Sequence, residues 1–270
     1  MKKIDDLKSV QKLEFDILKV MDTFLKKNDL KYFLLYGTLI GAIRHEGFIP
    51  WDDDIDVGML RSDYERLKKI AQKNPNIDER YRIMLAEDEN YPYPFIKVVD
   101  TKTLVNDELI KPEFRLSVWV DIFPLDHLPD DPAQIEAILK KSRGYKNILH
   151  VGTLRKVAIR NPINLWMKKL QYVCSGGYKG VSKKIDSYCI AINEAYKDSN
   201  IVGNIAWSEA KRVDYSLDSI MPLTPHTFVE GEFPVPGDYD TCLRNIYGDY
   251  MQIPPEGQRV SHNIDVILRE

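Results

Sequence analysis

The stretch YFLLYGTLIGAIRHEGFIPWDDDIDV, residues 32–57, decides the fold predicted for this chain. It begins with an apolar run that is typical of a buried strand, and Gly37 ends that run. A segment with helical spacing comes next, and Gly47 and Pro50 interrupt it. The stretch closes on an acidic group, the aspartates at positions 52, 53, 54 and 56.

Carboxylates at this density predict a bound cation. They repel one another, and each has a large desolvation cost when it is buried. Mg²⁺ relieves both penalties because it takes hard oxygen ligands, commonly one or two carboxylates together with substrate phosphates. A solvated acidic turn is the alternative for three consecutive aspartates, and the strand pattern that follows them favours the metal site.

The alternation of residue types divides the acidic group. In an extended strand every second side chain lies on the same face, so Asp54 and Asp56 point together while Ile55 and Val57 enter the core. Asp121 stands in a second strand pattern, VWVDIF, and predicts a third carboxylate from a neighbouring strand. These three aspartates are therefore the predicted ligands of Mg²⁺ or Mn²⁺.

Gly37 and Thr38 follow the first strand and open the next helix. Glycine lets a phosphate approach the backbone closely, and a helix N-terminus offers free N–H groups and a positive potential. Thr38 is a residue type that caps helices, here one that runs through 39–45. This turn predicts a phosphate-binding site upstream of the acidic strand.

Other polar residues near the acidic group allow two interpretations each. Arg44 could hold a phosphate through its planar fork or end a surface helix. His45 could interact with the C-terminus of that helix or act as an acid. Lys97, in the strand pattern FIKVV, could offer a cation to a phosphate from a wet sheet face or be an exposed strand lysine. Of Asp52 and Asp53, one is expected to brace the loop and the other to face solvent.

Strands and helices alternate over the first 125 residues, which predicts an α/β (α+β) fold with a mixed sheet core and flanking helices. A first helix is expected over 4–27, and a further one from Ser62, with Glu65 as its partner in a capping box. Pro124 is expected to end the last strand. The predicted strands are 32–36, 55–59, 81–86, 95–99 and 118–123.

The character of the chain changes after this core, which we place at 1–128. Residues 129–200 are expected to be a helical insertion, and 201–270 a C-terminal region that completes the substrate site. The latter is rich in Pro, Gly and aromatic residues and includes one short helix, 241–250. The insertion helices are predicted at 131–149, 163–174 and 179–198.

Composition excludes several classes of protein. The 270 residues are 44% hydrophobic and 29% charged, as in ordinary globular proteins, and a net charge of −3 gives no basic field for nucleic acid. No apolar run is long enough for a transmembrane helix, and the charged first residues do not resemble a signal peptide. Three widely spaced cysteines favour packing roles in a reducing cytoplasm.

Three segments together resemble one family, the bacterial LicD phosphorylcholine transferases, which are related to the fukutin proteins and to the nucleotidyltransferase superfamily. They lie at both ends of the chain, and the helical stretch of roughly 130–200 has no counterpart among them. The segments are YGTLIGAIRHEGFIPWDDDIDVGM (36–59), VDIFPLD (120–126) and YGDYMQIPPEGQRVSH (247–262).

The resemblance implies a nucleotidyltransferase-like core and a reaction. Phosphocholine would pass from CDP-choline to a sugar hydroxyl of a teichoic acid precursor of the cell wall, and CMP would leave. Asp54 and Asp56 would hold Mg²⁺, and Asp121 would be a third ligand or the base that takes the acceptor proton. His262 would lie near the substrate or the metal.

Choline has no hydrogen-bond donor, so aromatic faces and carboxylates must recognise it. Trp51, Trp119 and Tyr247 are the candidates for a choline cage, although aromatic residues are more often part of the core. A lipid-linked acceptor would bring the protein to the inner face of the membrane. Basic residues around 155–169 could contact lipid there or lie on a solvated helix face; they are Arg155, Lys156, Arg160, Lys168 and Lys169.

Three other functions remain open on the sequence alone. A nucleotidyltransferase that acts on a small molecule would release pyrophosphate instead of CMP. A relative with another donor would transfer a ribitol or glycerol phosphate. An inactive scaffold would bind no cytidine nucleotide in a Mg²⁺-dependent way, and the complete set of three aspartates argues against it.

Overall fold

The computed structural model describes residues 2–4, 6–107, 109–114, 116–157, 159, 161–208, 213–259 and 265–269. This part of the chain forms an α+β fold, as predicted. The helices are α1 (Leu7–Lys27), α2 (Tyr36–His45), α3 (Arg61–Lys73), α4 (Pro132–Thr153), α5 (Pro162–Cys174), α6 (Gly177–Ala195), α7 (Leu217–Ile220) and α8 (Tyr239–Tyr247). The strands are β1 (Lys2–Ile4), β2 (Phe33–Leu34), β3 (Asp56–Leu60), β4 (Tyr81–Met84), β5 (Ile96–Asp100), β6 (Thr103–Asn106), β7 (Trp119–Leu128), β8 (Ile201–Gly203), β9 (Tyr215–Ser216), β10 (Thr224–Phe228), β11 (Gly231–Val235) and β12 (Asp265–Leu268).

A mixed sheet forms the centre of the fold. Its main path runs β2-β3-β7-β5-β4, and β8 and β9 extend it beside the far end of β7. β3 and β7 are parallel, whereas the other neighbouring strands are antiparallel. Since the parallel pair lies inside the sheet, most of its residues are buried. Asp56 lies on β3 and Asp121 on β7.

β7 continues through Pro124, where the sequence predicted that it would end. Proline has no N–H to donate to a ladder and normally stands at strand edges. The antiparallel partner β5 pairs with β7 only as far as Ile122, and β8 begins to pair at Asp126. Pro124 thus lies between the two antiparallel partners, and the strand runs on to Leu128 without losing a bond to either.

α1 packs against β5 and β7 and begins at Leu7, three residues later than predicted. The Asp6 carboxylate accepts the N–H of Ser9 at 2.9 Å and caps the helix. Residues 2–4 form a strand that pairs with β12. The predicted helix start was wrong because the amphipathic pattern contains no information about this distant pairing.

α3 begins at Arg61, and no side-chain cap closes its first turn, so the predicted capping box of Ser62 and Glu65 is wrong. Arg61 is turned into the protein instead. Its guanidinium donates to both carboxylate oxygens of Asp126, at 2.6 and 2.9 Å, and to Glu65 at 3.1 Å. This buried ion pair connects the start of α3 to β7.

The three helices α4, α5 and α6 occupy the stretch predicted to be helical. α4 and α6 pack together, and α6 also packs against β7; the two helices enclose a second apolar core that includes Ile135, Leu139 and Ile185. Leu128, the last residue of β7, belongs to the same core. The helical segment is therefore joined to the sheet by packing and by the chain itself.

The C-terminal part returns to the central core. In the β10–β11 hairpin, Phe228 and Phe233 lie 6.3 and 5.9 Å from Phe15 of α1, measured between ring centres. β12 inserts between β1 and β6. The sequence predicted only the short helix in this region, because the strands depend on partners far away in the chain.

Predictions about cysteines and membrane spans can be compared with the described residues. Cys189 and Cys242 are buried, as expected for packing residues, whereas Cys174 is exposed at the end of α5. Among the helices of the described ranges, none combines the length and the apolar character that a bilayer span requires.

Candidate active site

Asp56 and Asp121 lie directly opposite each other on the parallel strands β3 and β7. The register is held by the backbone, because the N–H of Asp121 donates to the carbonyl of Ile55 at 2.9 Å. Asp56 is the first residue of its strand and Asp121 the third. The structure thus brings together two aspartates that are 65 residues apart in the sequence, as the prediction required.

The loop before β3 keeps the alternation of an extended strand. Ile55 and Val57 are fully buried, as predicted, and Asp54 and Asp56 are half-buried on the other side. Asp54 precedes the regular strand by two residues. Asp53 is buried with the apolar residues, so it is the aspartate that the loop holds inside the protein.

Thr38 and Gly37 connect α2 to the acidic loop, in a way that differs from the prediction. α2 begins at Tyr36, and Thr38 lies within its first turn, where it does not cap the helix. The Thr38 hydroxyl accepts the backbone N–H of Asp56 at 2.8 Å. A Cβ added to Gly37 would lie 2.7 Å from an Asp52 carboxylate oxygen, so the glycine admits this carboxylate to the helix N-terminus. The turn expected to receive a phosphate is thus close to an acidic side chain.

Lys97 is buried rather than on a wet face of the sheet, which corrects the prediction. All five residues of β5 are buried. The Lys97 ammonium lies 2.5 Å from an Asp121 carboxylate oxygen. It also lies 4.3 Å from the centre of the Tyr93 ring and 4.2 Å from that of Trp119. A buried ammonium is stable here because a carboxylate and two aromatic faces replace its hydration.

Negative charge exceeds positive charge around this pair. Burial raises the pKa of Asp56 well above its usual range, and Asp54 and Asp121 raise it further. Burial also raises the pKa of Asp121, against the opposite effect of Lys97. Burial lowers the pKa of Lys97, although Asp121 and Asp56 oppose that shift. Protonation of one carboxylate or binding of a cation would reduce the repulsion.

The donor set fits a hard divalent cation, because it consists of carboxylates with a surplus of negative charge. Asp54 and Asp56 would hold the cation, with Asp121 beside them. Among the described residues, however, no three His, Cys, Asp or Glu side chains are already grouped to hold a metal. Lys97 neutralises part of the Asp121 charge instead, so substrate phosphates would have to supply further oxygen ligands.

Glu14 is a residue of this region that the sequence analysis missed. It lies on the buried face of α1, and one of its carboxylate oxygens has no hydrogen-bond partner within the part of the chain that the structure describes. Burial raises its pKa well above the usual range, and the negative charges of Asp54 and Asp53 raise it further. One turn earlier, Gln11 donates to the backbone carbonyl of Asp52 at 2.8 Å. An acidic residue on the apolar face of an amphipathic helix was the signal that could have identified it.

Arg44 and His45 interact with each other and with the C-terminal segment. The Arg44 guanidinium donates to the Tyr250 carbonyl at 2.5 Å and to a ring nitrogen of His45 at 2.9 Å. Burial lowers the pKa of His45, and the charge of Arg44 lowers it further. These contacts give Arg44 a role in holding the chain after α8, whereas its predicted role on a phosphate stays a prediction.

The three aromatic cage candidates have different surroundings. Arg259 places its guanidinium 4.6 Å from the centre of the Trp51 ring, and Lys97 covers Trp119 as described. Tyr247 is partly exposed on α8, and burial of its hydroxyl raises its pKa, as do Tyr36 and Asp56. Both tryptophans thus face a cation of the protein itself, and Tyr247 is the most exposed of the three candidates. His262, the remaining predicted site residue, lies outside the described residues.

A cleft of about 130 Å³ lies beside Tyr93. Tyr93, whose ring covers Lys97, forms part of its wall, together with His150 and Thr153 from the end of α4 and Trp207. The lining is mostly apolar, with a few polar groups, as in small-molecule sites. The cleft therefore lies between the end of α4 and the tyrosine ring that covers Lys97.

Comparison with known proteins identifies the family. The domain described as LicD/FKTN/FKRP, nucleotidyltransferase domain, matches residues 29–126, a range that contains Asp54, Asp56, Lys97 and Asp121. The chain is also similar to the lipopolysaccharide cholinephosphotransferase LicD of Haemophilus influenzae, with 30% identity over 273 residues that cover 98% of each protein. The chain belongs to the LicD family. It is therefore a phosphotransferase, as the sequence predicted.

Shorter similarities extend to other proteins. The ribitol 5-phosphate transferase FKRP of human and of mouse is 36% identical over 58 residues, which cover 21% of this chain and 12% of FKRP. An uncharacterised protein of Rickettsia prowazekii is 43% identical over 56 residues, 21% of each chain. The named relatives transfer different phospho-alcohols, so family membership alone does not select the donor.

Proposed function

We propose that this LicD family protein transfers phosphocholine from CDP-choline to a sugar hydroxyl of a cell-envelope glycan, with a teichoic acid precursor as the acceptor, and releases CMP. The observation that carries the proposal is the pairing of Asp56 with Asp121 beside Asp54, with Lys97 as the adjacent cation. The similarity over the whole chain to a cholinephosphotransferase supports choline as the transferred alcohol. That relative acts on lipopolysaccharide, so a lipopolysaccharide sugar is the other acceptor to compare.

The reaction exchanges a phosphoanhydride bond of the donor for a phosphodiester bond to the acceptor. The acceptor hydroxyl oxygen forms a bond to the phosphorus that bears choline, and the bond from that phosphorus to the oxygen of CMP breaks. CMP leaves with the electron pair of that bond. Asp54 and Asp56 would hold Mg²⁺ or Mn²⁺, which supplies charge neutralisation on the pyrophosphate when it is bound. Asp121 either binds the same cation or takes the acceptor proton.

Lys97 has two effects in this proposal. Its ammonium keeps Asp121 in place and adds positive charge near the phosphates. The rings of Tyr93 and Trp119 exclude water from it, and electrostatic interactions are stronger in such an environment. Tyr247, with an exposed ring near the carboxylates, is the cage candidate best able to contact the choline ammonium.

The experiment that tests the proposal is incubation with CDP-choline, Mg²⁺ and an acceptor, with CMP measured against pyrophosphate. A teichoic acid repeat and a lipopolysaccharide fragment are compared as acceptors. Release of pyrophosphate would support a nucleotidyltransferase. Release of CMP only from CDP-ribitol or CDP-glycerol would show that the transferred group is that phospho-alcohol and not phosphocholine. Absence of turnover and of Mg²⁺-dependent nucleotide binding would support the inactive scaffold.

The matched variants are Asp54→Asn and Asp56→Asn, with Asp198→Asn as the control on the surface. Each active-site variant is expected to lower kcat/KM by about 10²-fold or more, because a carboxylate that would hold the phosphate-neutralising cation is lost. The control should retain the wild-type rate. Asp121→Asn separates the two roles of that residue: weaker Mg²⁺ binding indicates a ligand, and unchanged binding with a lower rate indicates the base.

A further inference from the structure

α5 carries an apolar face that no described part of the chain covers. None of its residues is buried. Five apolar side chains are exposed: Ile163 by 68%, Trp166 by 63%, Met167 by 48%, Leu170 by 49% and Val173 by 71%. At 100° per residue they fall within an arc of about 120° on the helix. An arc of this width normally faces a core.

The opposite side of α5 attaches the helix to the protein. Tyr172 belongs to the apolar cluster of α4 and α6. Its ring packs so closely on Gly152 that a Cβ there would lie 2.0 Å from the ring. The helix is also well capped, because Asn161 accepts the N–H groups of Ile163 and Asn164 and Pro162 occupies the first turn. The exposed arc is therefore held rigidly and directed outward.

The segment around α5 is strongly basic although the whole chain has a net charge of −3. No aspartate or glutamate occurs in residues 137–185. Lys169 borders the apolar arc on the helix itself, and Arg155 and Lys156 precede the helix. The twelve basic residues of this range are Lys140, Lys141, Arg143, Lys146, Arg155, Lys156, Arg160, Lys168, Lys169, Lys179, Lys183 and Lys184.

We propose that α5 docks the protein on an anionic phospholipid bilayer. The apolar arc lies at the level of the lipid headgroups, with Trp166 at the boundary between apolar and polar layers, and the surrounding basic residues contact anionic headgroups. A second copy of the chain is a poorer occupant, because pairing two α5 faces would bring two acid-free basic segments together. Docking of this kind needs no membrane-spanning helix.

The proposal extends the proposed function, since a bilayer-bound enzyme meets a lipid-linked acceptor at the surface. α5 packs on α4, and the last turn of α4 lines the same cleft as Tyr93, whose ring covers Lys97. Vesicle binding is measured without donor or acceptor. Failure of docking would therefore leave the transfer chemistry untouched, and failure of transfer would leave docking intact.

The experiment is sedimentation of the full chain with vesicles of phosphatidylcholine mixed with phosphatidylglycerol, and with vesicles of phosphatidylcholine alone. Wild type is expected to bind the mixed vesicles and to bind the neutral ones at least about tenfold more weakly. Trp166→Ser with Leu170→Ser should weaken binding by about tenfold or more, because two large side chains no longer enter the bilayer. Lys156→Gln with Lys169→Gln, both exposed, should weaken it by about fivefold or more.

Matched controls change similar residues elsewhere on the surface. Met251→Ser with Ile253→Ser removes two side chains that are each 51% exposed, and Lys69→Gln with Lys73→Gln removes two charges from α3. Both should bind vesicles like wild type. Equal binding to neutral and anionic vesicles, or unchanged binding of the α5 variants, would overturn the proposal. So would a dimer in lipid-free solution that the α5 variants dissociate, because the occupant would then be a second copy.

Discussion

The ammonium of Lys97 lies 2.5 Å from the carboxylate of Asp121, and both side chains are buried. The two residues stand opposite each other on the antiparallel strands β5 and β7. On its other side, β7 pairs with β3 so that Asp121 also lies opposite Asp56. One aspartate therefore connects the cation of the site to the remaining carboxylates, and removal of either partner should affect both stability and activity.

Replacement of Lys97 by methionine leaves Asp121 as an uncompensated buried charge. We expect Lys97→Met to lower the free energy of unfolding by about 3–5 kcal/mol, as in other buried ion pairs that lose one partner. Urea denaturation measures this change. The double variant Lys97→Met with Asp121→Asn should recover much of the loss, because neither position of the pair then carries a charge. A double variant as unstable as Lys97→Met would show that Lys97 stabilises the core by packing alone.

Replacement of Thr38 tests the link between α2 and β3. Thr38→Val removes the acceptor of the Asp56 N–H and should lower stability by about 1–3 kcal/mol, the cost of an unpaired buried donor. We also expect kcat/KM to fall, since the position of Asp56 depends on this bond. Thr38→Ser keeps the hydroxyl and should restore the rate. Equal losses in the serine and valine variants would indicate that the methyl group, and not the hydrogen bond, matters.

Glu14 should make stability depend on pH in a defined direction. Its folded-state pKa is raised above the usual value of 4.5 by burial, so its effect on stability is most favourable below about pH 4.5 and is lost as pH rises towards the folded pKa. Glu14→Gln removes this ionisation. We expect the variant to melt at a higher temperature than wild type at pH 7 to 8, and the difference to vanish near pH 4. A difference that stays constant across this range would contradict the buried, unpaired carboxylate.

Asp126, the last residue of the motif VDIFPLD, forms a buried ion pair with Arg61, and we expect it to stabilise the fold. Burial raises the pKa of Asp126 while Arg61 lowers it, and the guanidinium bonds to both carboxylate oxygens. Asp126→Asn should lower the free energy of unfolding by about 3–5 kcal/mol without changing Mg²⁺ affinity. Arg82→Gln provides a control, since its ion pair with Asp88 is longer, at 3.5 Å, and partly exposed. A loss of Mg²⁺ affinity in Asp126→Asn would place this residue in the active site.

The sequence by itself determined the local features of the site. Period-two alternation separates Asp54 and Asp56 from Ile55 and Val57, because side-chain direction in an extended chain depends only on the backbone. The helices of the middle region were also predictable, because the spacing of apolar residues along a helix is a local property of the chain. The resemblance carried by the acidic stretch identified the LicD family before any contact was known.

Only the tertiary structure decided which distant residues meet. The pairing of Asp121 with Lys97, the approach of Glu14 to the acidic loop and the attachment of Arg44 to the Tyr250 carbonyl all depend on strand register and helix packing. Thr38 looked like a cap and instead accepts a hydrogen bond from β3. Such contacts are governed by burial and long-range pairing, which leave no periodic pattern in the sequence, so they required the folded chain.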